Sequence, residues 1–134
     1  MQTLSQTSFV PKKLLWAGWI ISALAVLFLA FDAIIKIIQH PEAMTATAQL
    51  GYAENLVFGI GLLELVCLVI YIISPTSVLG AILLTGYLGG AVATHVRAGS
   101  DLFSMLFPVI IGAMVWGGLW LRDNRLQTFI PWRR

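Results

Sequence analysis

Four stretches of the chain are long and apolar enough to cross a lipid bilayer. Leu14–Phe31 carries no charge and runs on into Asp32 and Lys36; Asn55–Ile73 is broken only by Glu64. Val78–Val96 holds His95 near its end, with Arg97 just beyond, and Leu102–Leu121 is uncharged. A helix needs roughly 20 apolar residues to span the hydrocarbon core. In lipid only helices and closed barrels satisfy every backbone polar group, and these unbroken runs lack the alternation of barrel strands. The expected fold is all-α: an integral membrane four-helix bundle, forming a single membrane domain over residues 1–134.

Composition agrees with that constraint. Hydrophobic residues make up 59% of the 134 and charged residues 10%, against about 25% charged in a soluble domain. Four spans use nearly the whole chain and leave no room for a second domain. The net charge of +2 is too small to point to nucleic acid. Cys67 is the single cysteine, so neither an intramolecular disulfide nor dithiol chemistry within one subunit is available. Its apolar surroundings mark it as a packing residue.

Start and stop signals divide the chain further. Met1–Val10 is polar, and Pro11 suits a helix start. Helices are expected over about 12–39, 53–73, 77–96 and 102–121. Pro41 and Glu42, followed by a mildly apolar run and Gly51, predict a short helix over about 41–50. It is too short to span and is expected to lie on the membrane surface as a lid. Ser74-Pro75-Thr76-Ser77 and Ala98-Gly99-Ser100-Asp101 read as turns. Pro108 is expected to bend the last span unless it falls in the first turn. Residues 122–134 read as a basic, partly aromatic tail. Ala46-Thr47-Ala48 resembles a signal-peptide cleavage site, but the apolar run before it is too long and ends too early, so cleavage is not expected.

Four spans put both ends of the chain on one side. Lys12, Lys13, Arg122, Arg125, Arg133 and Arg134 gather there, against Arg97 and Lys36 opposite. Positive residues favour the cytoplasm, so both termini are expected to be cytoplasmic. Trp16, Trp19, Tyr71, Trp116, Trp120 and Trp132 then fall near the cytoplasmic interface, where amphipathic rings are favoured.

Ionisable groups inside membrane helices are costly and mark function by default. With a rise of 1.5 Å per residue, Glu64 lies roughly 15 Å into its span, near the middle. Asp32, Lys36, His95, Arg97 and Asp101 all fall toward the side opposite the termini. If their faces point inward they form a polar pocket open to the exterior. Asp32 and Lys36 are four apart and share a helix face. They form either a self-neutralising pair with the lysine snorkelling outward or part of a site. Glu64 must pair with a cation or hold its proton, either for acid–base work or to fix helix packing by hydrogen bonding. His95 suits a proton relay or an interfacial side chain bonded to the loop, and His40 reads as an ordinary loop residue. Two distant histidines without paired spacing give no metal site.

Small residues recur at intervals of four at Gly86, Gly90 and Thr94, and at Gly18 and Ser22. Such stripes bring helices close, either within the bundle or at a homodimer or partner-subunit seam through Gly86 and Gly90. No Gly-rich phosphate loop, nucleophile elbow or His-Glu-x-x-His helix is present.

The stretches Phe31-Asp32-Ala33-Ile34-Ile35-Lys36, Gly59-Ile60-Gly61-Leu62-Leu63-Glu64 and Leu84 to Arg97, with Trp116-Gly117-Gly118-Leu119-Trp120-Leu121-Arg122-Asp123, resemble the DoxX-like family. The resemblance runs from about Leu27 to Leu126 and implies a small four-helix membrane bundle. Founding members are described as membrane subunits of a thiosulfate:quinone oxidoreductase, and some eukaryotic relatives resemble receptor-assembly chaperones. The matching polar positions are Asp32, Lys36, Glu64, His95 and Arg97. Together these readings predict an inner-membrane protein with an outward-facing pocket for a small amphiphilic or anionic ligand, quinone being the cofactor the resemblance suggests. Glu64 would handle the proton, His95 would relay it, Lys36 and Arg97 would contact an anion, and Asp32 would hold Lys36. The rivals are a non-enzymatic subunit or chaperone that docks a partner on the glycine faces, and a small proton-coupled transporter.

Overall fold

The computed structural model describes residues 12–129. Pro11, the polar leader before it, Trp132, Arg133 and Arg134 lie outside the described residues. Six α-helices follow in order: α1 (Lys12–Ile37), α2 (Pro41–Gln49), α3 (Val57–Ile72), α4 (Ser77–Ala98), α5 (Leu102–Arg122) and α6 (Asn124–Phe129). Short 3₁₀ turns at Glu54–Leu56 and Ser74–Thr76 lead into α3 and α4. No strand occurs among the described residues.

The helices that are long and apolar enough to span a membrane are α1, α3 with its leading turn, α4 with its leading turn, and α5. Each packs against the next, and α5 returns to α1, so the four form a closed up-down ring. Their outer faces carry Leu27, Phe31, Leu63, Ile82 and Val109, all exposed. Large side chains turned outward along every span are what lipid, not water, solvates. The chain is therefore an integral membrane protein.

Local signals explain where the helices stop. Gln39 takes φ +58° after α1, and the His40 N–H reaches back to the Ile35 carbonyl at 2.8 Å. His40 then caps α2: its Nδ1 accepts from the Glu42 N–H at 3.2 Å. Gly99, at φ +74°, ends α4 in the left-handed conformation that costs glycine least. Asp101 caps α5, accepting from the Ser104 N–H at 3.2 Å and from its hydroxyl at 2.9 Å. The Ser104 hydroxyl, with its N–H, holds the Asp101 carboxyl below the usual carboxylate range. Pro108 lies well past the first turn of α5, which is continuous around it. Residues read above as a tail include α6, because Asp123 caps it (Oδ1 to Arg125 N, 2.9 Å) and Leu126 is buried against the bundle.

The two ends of the ring differ. At the end where α1 starts and α5 finishes, Ala25, Leu68, Tyr71, Ala81, Leu84, Val115 and Leu119 fill the interior. Close backbone contacts lock it. A Cβ on Gly18 would sit 2.8 Å from the Gly118 carbonyl, and one on Gly80 would collide with the Tyr71 backbone. Tyr71, expected at the interface, is instead fully buried. Its hydroxyl donates to the Val115 carbonyl at 2.8 Å and accepts from Ser22 Oγ at 3.0 Å. Ser22 in turn accepts from Arg122 Nε at 3.1 Å, and that guanidinium stacks 4.3 Å from the Trp19 ring centre. A tyrosine whose hydroxyl finds these partners can leave the interface. The opposite end is hollow.

Candidate functional site

The hollow end encloses a cavity of about 720 Å³. Its deep wall is apolar, with Leu29, Leu88, Phe107, Pro108 and Ile111. Its outer rim is polar, with Thr47 and Gln49 of α2, Tyr52, Thr94, His95 and Asp101. The short helix α2 thus lies over the mouth, held by buried Ala43 and Thr47.

Four side chains from three helices meet on the cavity wall. Lys36 Nζ lies 2.6 Å from Asp32 Oδ2, 3.3 Å from Glu64 Oε1 and 2.9 Å from the Tyr87 hydroxyl. Tyr87 donates to the same Glu64 Oε1 at 3.0 Å. The lysine does not snorkel outward. Its ammonium has three donors, and all three are engaged within the cluster. Close packing sets this geometry: a Cβ on Gly61 would stand 2.6 Å from Lys36 Cβ and 3.0 Å from the Ala33 carbonyl. With no side chain there, α3 lies directly on α1, and Glu64, one turn further along, faces the lysine.

Glu64 has no exposed surface. Its Oε2 is the one buried side-chain oxygen or nitrogen without a hydrogen-bond partner among the described residues. Two carboxyl groups also share one ammonium. A fully ionised cluster would hold an uncompensated negative charge in a dry site, which is expensive. Either a proton on Glu64 or a donor brought by a ligand removes the imbalance.

The remaining expected residues separate. His95 lines the cavity, but its Nδ1 is bonded to Ser100 Oγ at 2.9 Å. Eight residues of helix, about 12 Å, lie between it and Tyr87. Arg97 is exposed and reaches the loop after α2, where its guanidinium lies 3.6 Å from the place a Gly51 Cβ would take. It does not line the cavity. Lys36 therefore has no donor to spare for an anion, and Arg97 is not beside it.

The two glycine stripes also part company. Gly18 and Ser22 pack α1 on α5, against Gly118. Gly86 and Gly90 are exposed, and a Cβ on either would meet nothing within 4 Å. Their Cβ directions meet no neighbouring helix, contrary to the packing expected of such spacing; both line the cavity.

Tyr87 is the participant that sequence reasoning missed. Its signal was present: it stands eight residues before His95, about two helical turns, and therefore near the same face. Among the described residues no group of three His, Cys, Asp or Glu side chains is placed to hold a metal.

No curated protein and no solved structure matches the chain. A family model described as the DoxX-like family matches residues 20–118. That match takes in α1 from its first third through nearly all of α5, including Asp32, Lys36, Glu64 and Tyr87, and the chain belongs to the DoxX-like family.

Proposed function

We propose that this protein binds a small neutral amphiphile in the hollow end of its bundle, with a quinone-like head against the Lys36–Glu64–Tyr87–Asp32 cluster. The observation that carries the reading is Glu64 Oε2, fully buried, unpartnered and part of a cavity-lining residue. Glu64 holds a proton there and donates it as a hydrogen bond to a carbonyl on the ligand. Lys36 and Tyr87 hold the other carboxyl oxygen, the Asp32 carboxyl lies close by, and Oε2 is left without a donor among the described residues. The apolar deep wall suits a ring, and the polar rim suits water. An anionic ligand is disfavoured, because all three donors of the single ammonium are already engaged.

The family match supports a membrane protein, and quinone chemistry is the role we read into its cavity. Cys67 has no second thiol in its own chain to work with, so dithiol exchange within one subunit has no place in it. Lys12, Lys13, Arg122 and Arg125 cluster at the filled end, which favours that end in the cytoplasm of a bacterial inner membrane. The cavity then opens away from the cytoplasm.

Binding of decylubiquinone to the protein in nanodiscs tests the reading. Glu64→Gln keeps a donor at the free position, so it retains binding and loses any pH dependence. Glu64→Leu loses binding while Lys36 keeps Asp32. Equal binding by parent and Glu64→Leu, with both folded by thermal melting, rejects the site.

A further inference from the structure

The four seams between neighbouring helices are not alike. The α1–α3 seam is closed at Gly61, against the backbone of Ala33 and Ile37. The α1–α5 seam is closed by Gly18 on Gly118, and further along by Phe28 and Phe107, whose rings meet edge-on at 4.9 Å. The α4–α5 seam is closed by Trp116 Nε1 donating to Thr85 Oγ1 at 2.6 Å, and by Leu88 against Gly112. The α3–α4 seam is spanned by the Tyr87–Glu64 hydrogen bond and is closed by backbone contact, at Gly80 and Tyr71, next to the turn. Beyond it, Leu63 of α3 and Gly86 and Gly90 of α4 are all exposed and all line the cavity.

We infer that the α3–α4 seam is a lateral window, through which one hydrocarbon chain of a membrane-borne amphiphile leaves the cavity for the surrounding lipid. The inference deepens the proposed function and rests on it for the head of the ligand. Two polar bridges frame the window. Tyr87 bridges to Glu64 on its inner side, at 3.0 Å. Above it, the Tyr52 hydroxyl lies 3.0 Å from Thr94 Oγ1, and Thr94 donates onward to the Gly90 carbonyl at 2.8 Å. Tyr52 is therefore the donor, and it straps the α2–α3 loop across α4.

The depth selects the occupant. Gly86 and Gly90 stand in the middle turns of a spanning helix, where the outside medium is acyl chain. Leu63 gives the window an apolar sill, while glycine leaves room for a chain to lie against the α4 backbone. Glu64, whose buried Oε2 has no partner among the described residues, lines the same cavity, so the opening leads to a polar end as well as an apolar one. A head at Glu64 and a tail past Gly90 describe a long-chain amphiphile rather than a water-soluble molecule.

A photoreactive phosphatidylcholine, with a diazirine in mid-chain, tests the window without assuming the head group. In proteoliposomes of the full chain, ultraviolet light should attach label to Leu88 and Ile111, which line the cavity and are buried. It should also label Leu79 and Ile82, which face outward. Leucine at Gly86 or Gly90 has open space to occupy. Gly86→Leu and Gly90→Leu should therefore lose the Leu88 and Ile111 label, keep the outer label and melt no lower than the parent. Alanine at the same positions should keep all of it. Interior label that is absent in the parent, or unchanged by both leucines, overturns the window. A dimer in the parent that Gly90→Leu converts to monomer also overturns it, because the seam would then be a subunit contact. Decylubiquinone and the tail-free ubiquinone head separate this inference from the reading beneath it. The leucine variants should bind decylubiquinone as weakly as the parent binds the bare head. If the parent binds neither, the quinone reading fails and the lipid label alone decides the window.

Discussion

Lys36, in the last turn of α1, reaches across the bundle to Glu64 in the middle of α3, with Nζ 3.3 Å from Oε1. The glutamate side chain has no exposure and the lysine side chain 16%. Neither group is stable there without a partner. Removing one member of a buried pair typically costs roughly 3–5 kcal/mol, because the other is left uncompensated. Lys36→Met should lower stability by about that amount, since it strands both Asp32 and Glu64. Thermal melting in detergent measures it. The double variant Lys36→Met/Glu64→Leu should recover most of the loss, as no buried charge then depends on Lys36 except half-exposed Asp32.

Tyr87 supplies one hydroxyl to two neighbours, accepting from the Lys36 ammonium and donating to Glu64. Hydrogen bonds to charged groups are worth about 1.5–3 kcal/mol each. Tyr87→Phe should cost about 2 kcal/mol, on the scale of one such bond. A double-mutant cycle with Glu64→Gln should show strong coupling between the two positions. Additive losses would mean that the hydroxyl and the carboxyl do not act together.

Glycines at similar spacing should respond oppositely to alanine. Gly80→Ala forces a methyl into the Tyr71 backbone, and overpacking of this kind costs about 1–3 kcal/mol. Gly90→Ala meets open space and should be neutral or gain up to about 1 kcal/mol from helix propensity. Melting temperatures of the two variants, run side by side, check the contrast.

Gln39 occupies the left-handed region at φ +58°, where a side chain costs roughly 1–2 kcal/mol. Gln39→Gly should relieve that strain and raise the melting temperature. An unchanged or lower value would show that the Gln39 side chain compensates for its backbone.

Asp32, Lys36 and Glu64 were legible because a charge inside an apolar run has few explanations. Their convergence was not. Lipid and protein core are both apolar, so hydrophobic periodicity barely marks which face of a spanning helix turns inward. Tyr87 was hidden for a related reason: tyrosine is ordinary at a membrane interface, and its neighbours are glycine and leucine. Arg97 shows the converse. It follows His95 by two residues, about 200° around the helix, so the two side chains could not share the cavity. That incompatibility was readable from spacing alone. The glycines of α4 could not be ranked, because close approach at Gly80 and open space at Gly90 depend on how far α3 and α4 diverge after their turn.

Pro108 has no N–H, so the carbonyl of Ser104 has no partner one turn ahead in α5. This weak joint lies level with the cavity, whereas the opposite end is clamped by the glycine contacts and by Tyr71. The missing bond makes the first turns of α5 the part of the cavity wall that bends at least cost. Admission of a bulky head would then cost only a local flexing, with no rearrangement of the helices that carry the ion pair.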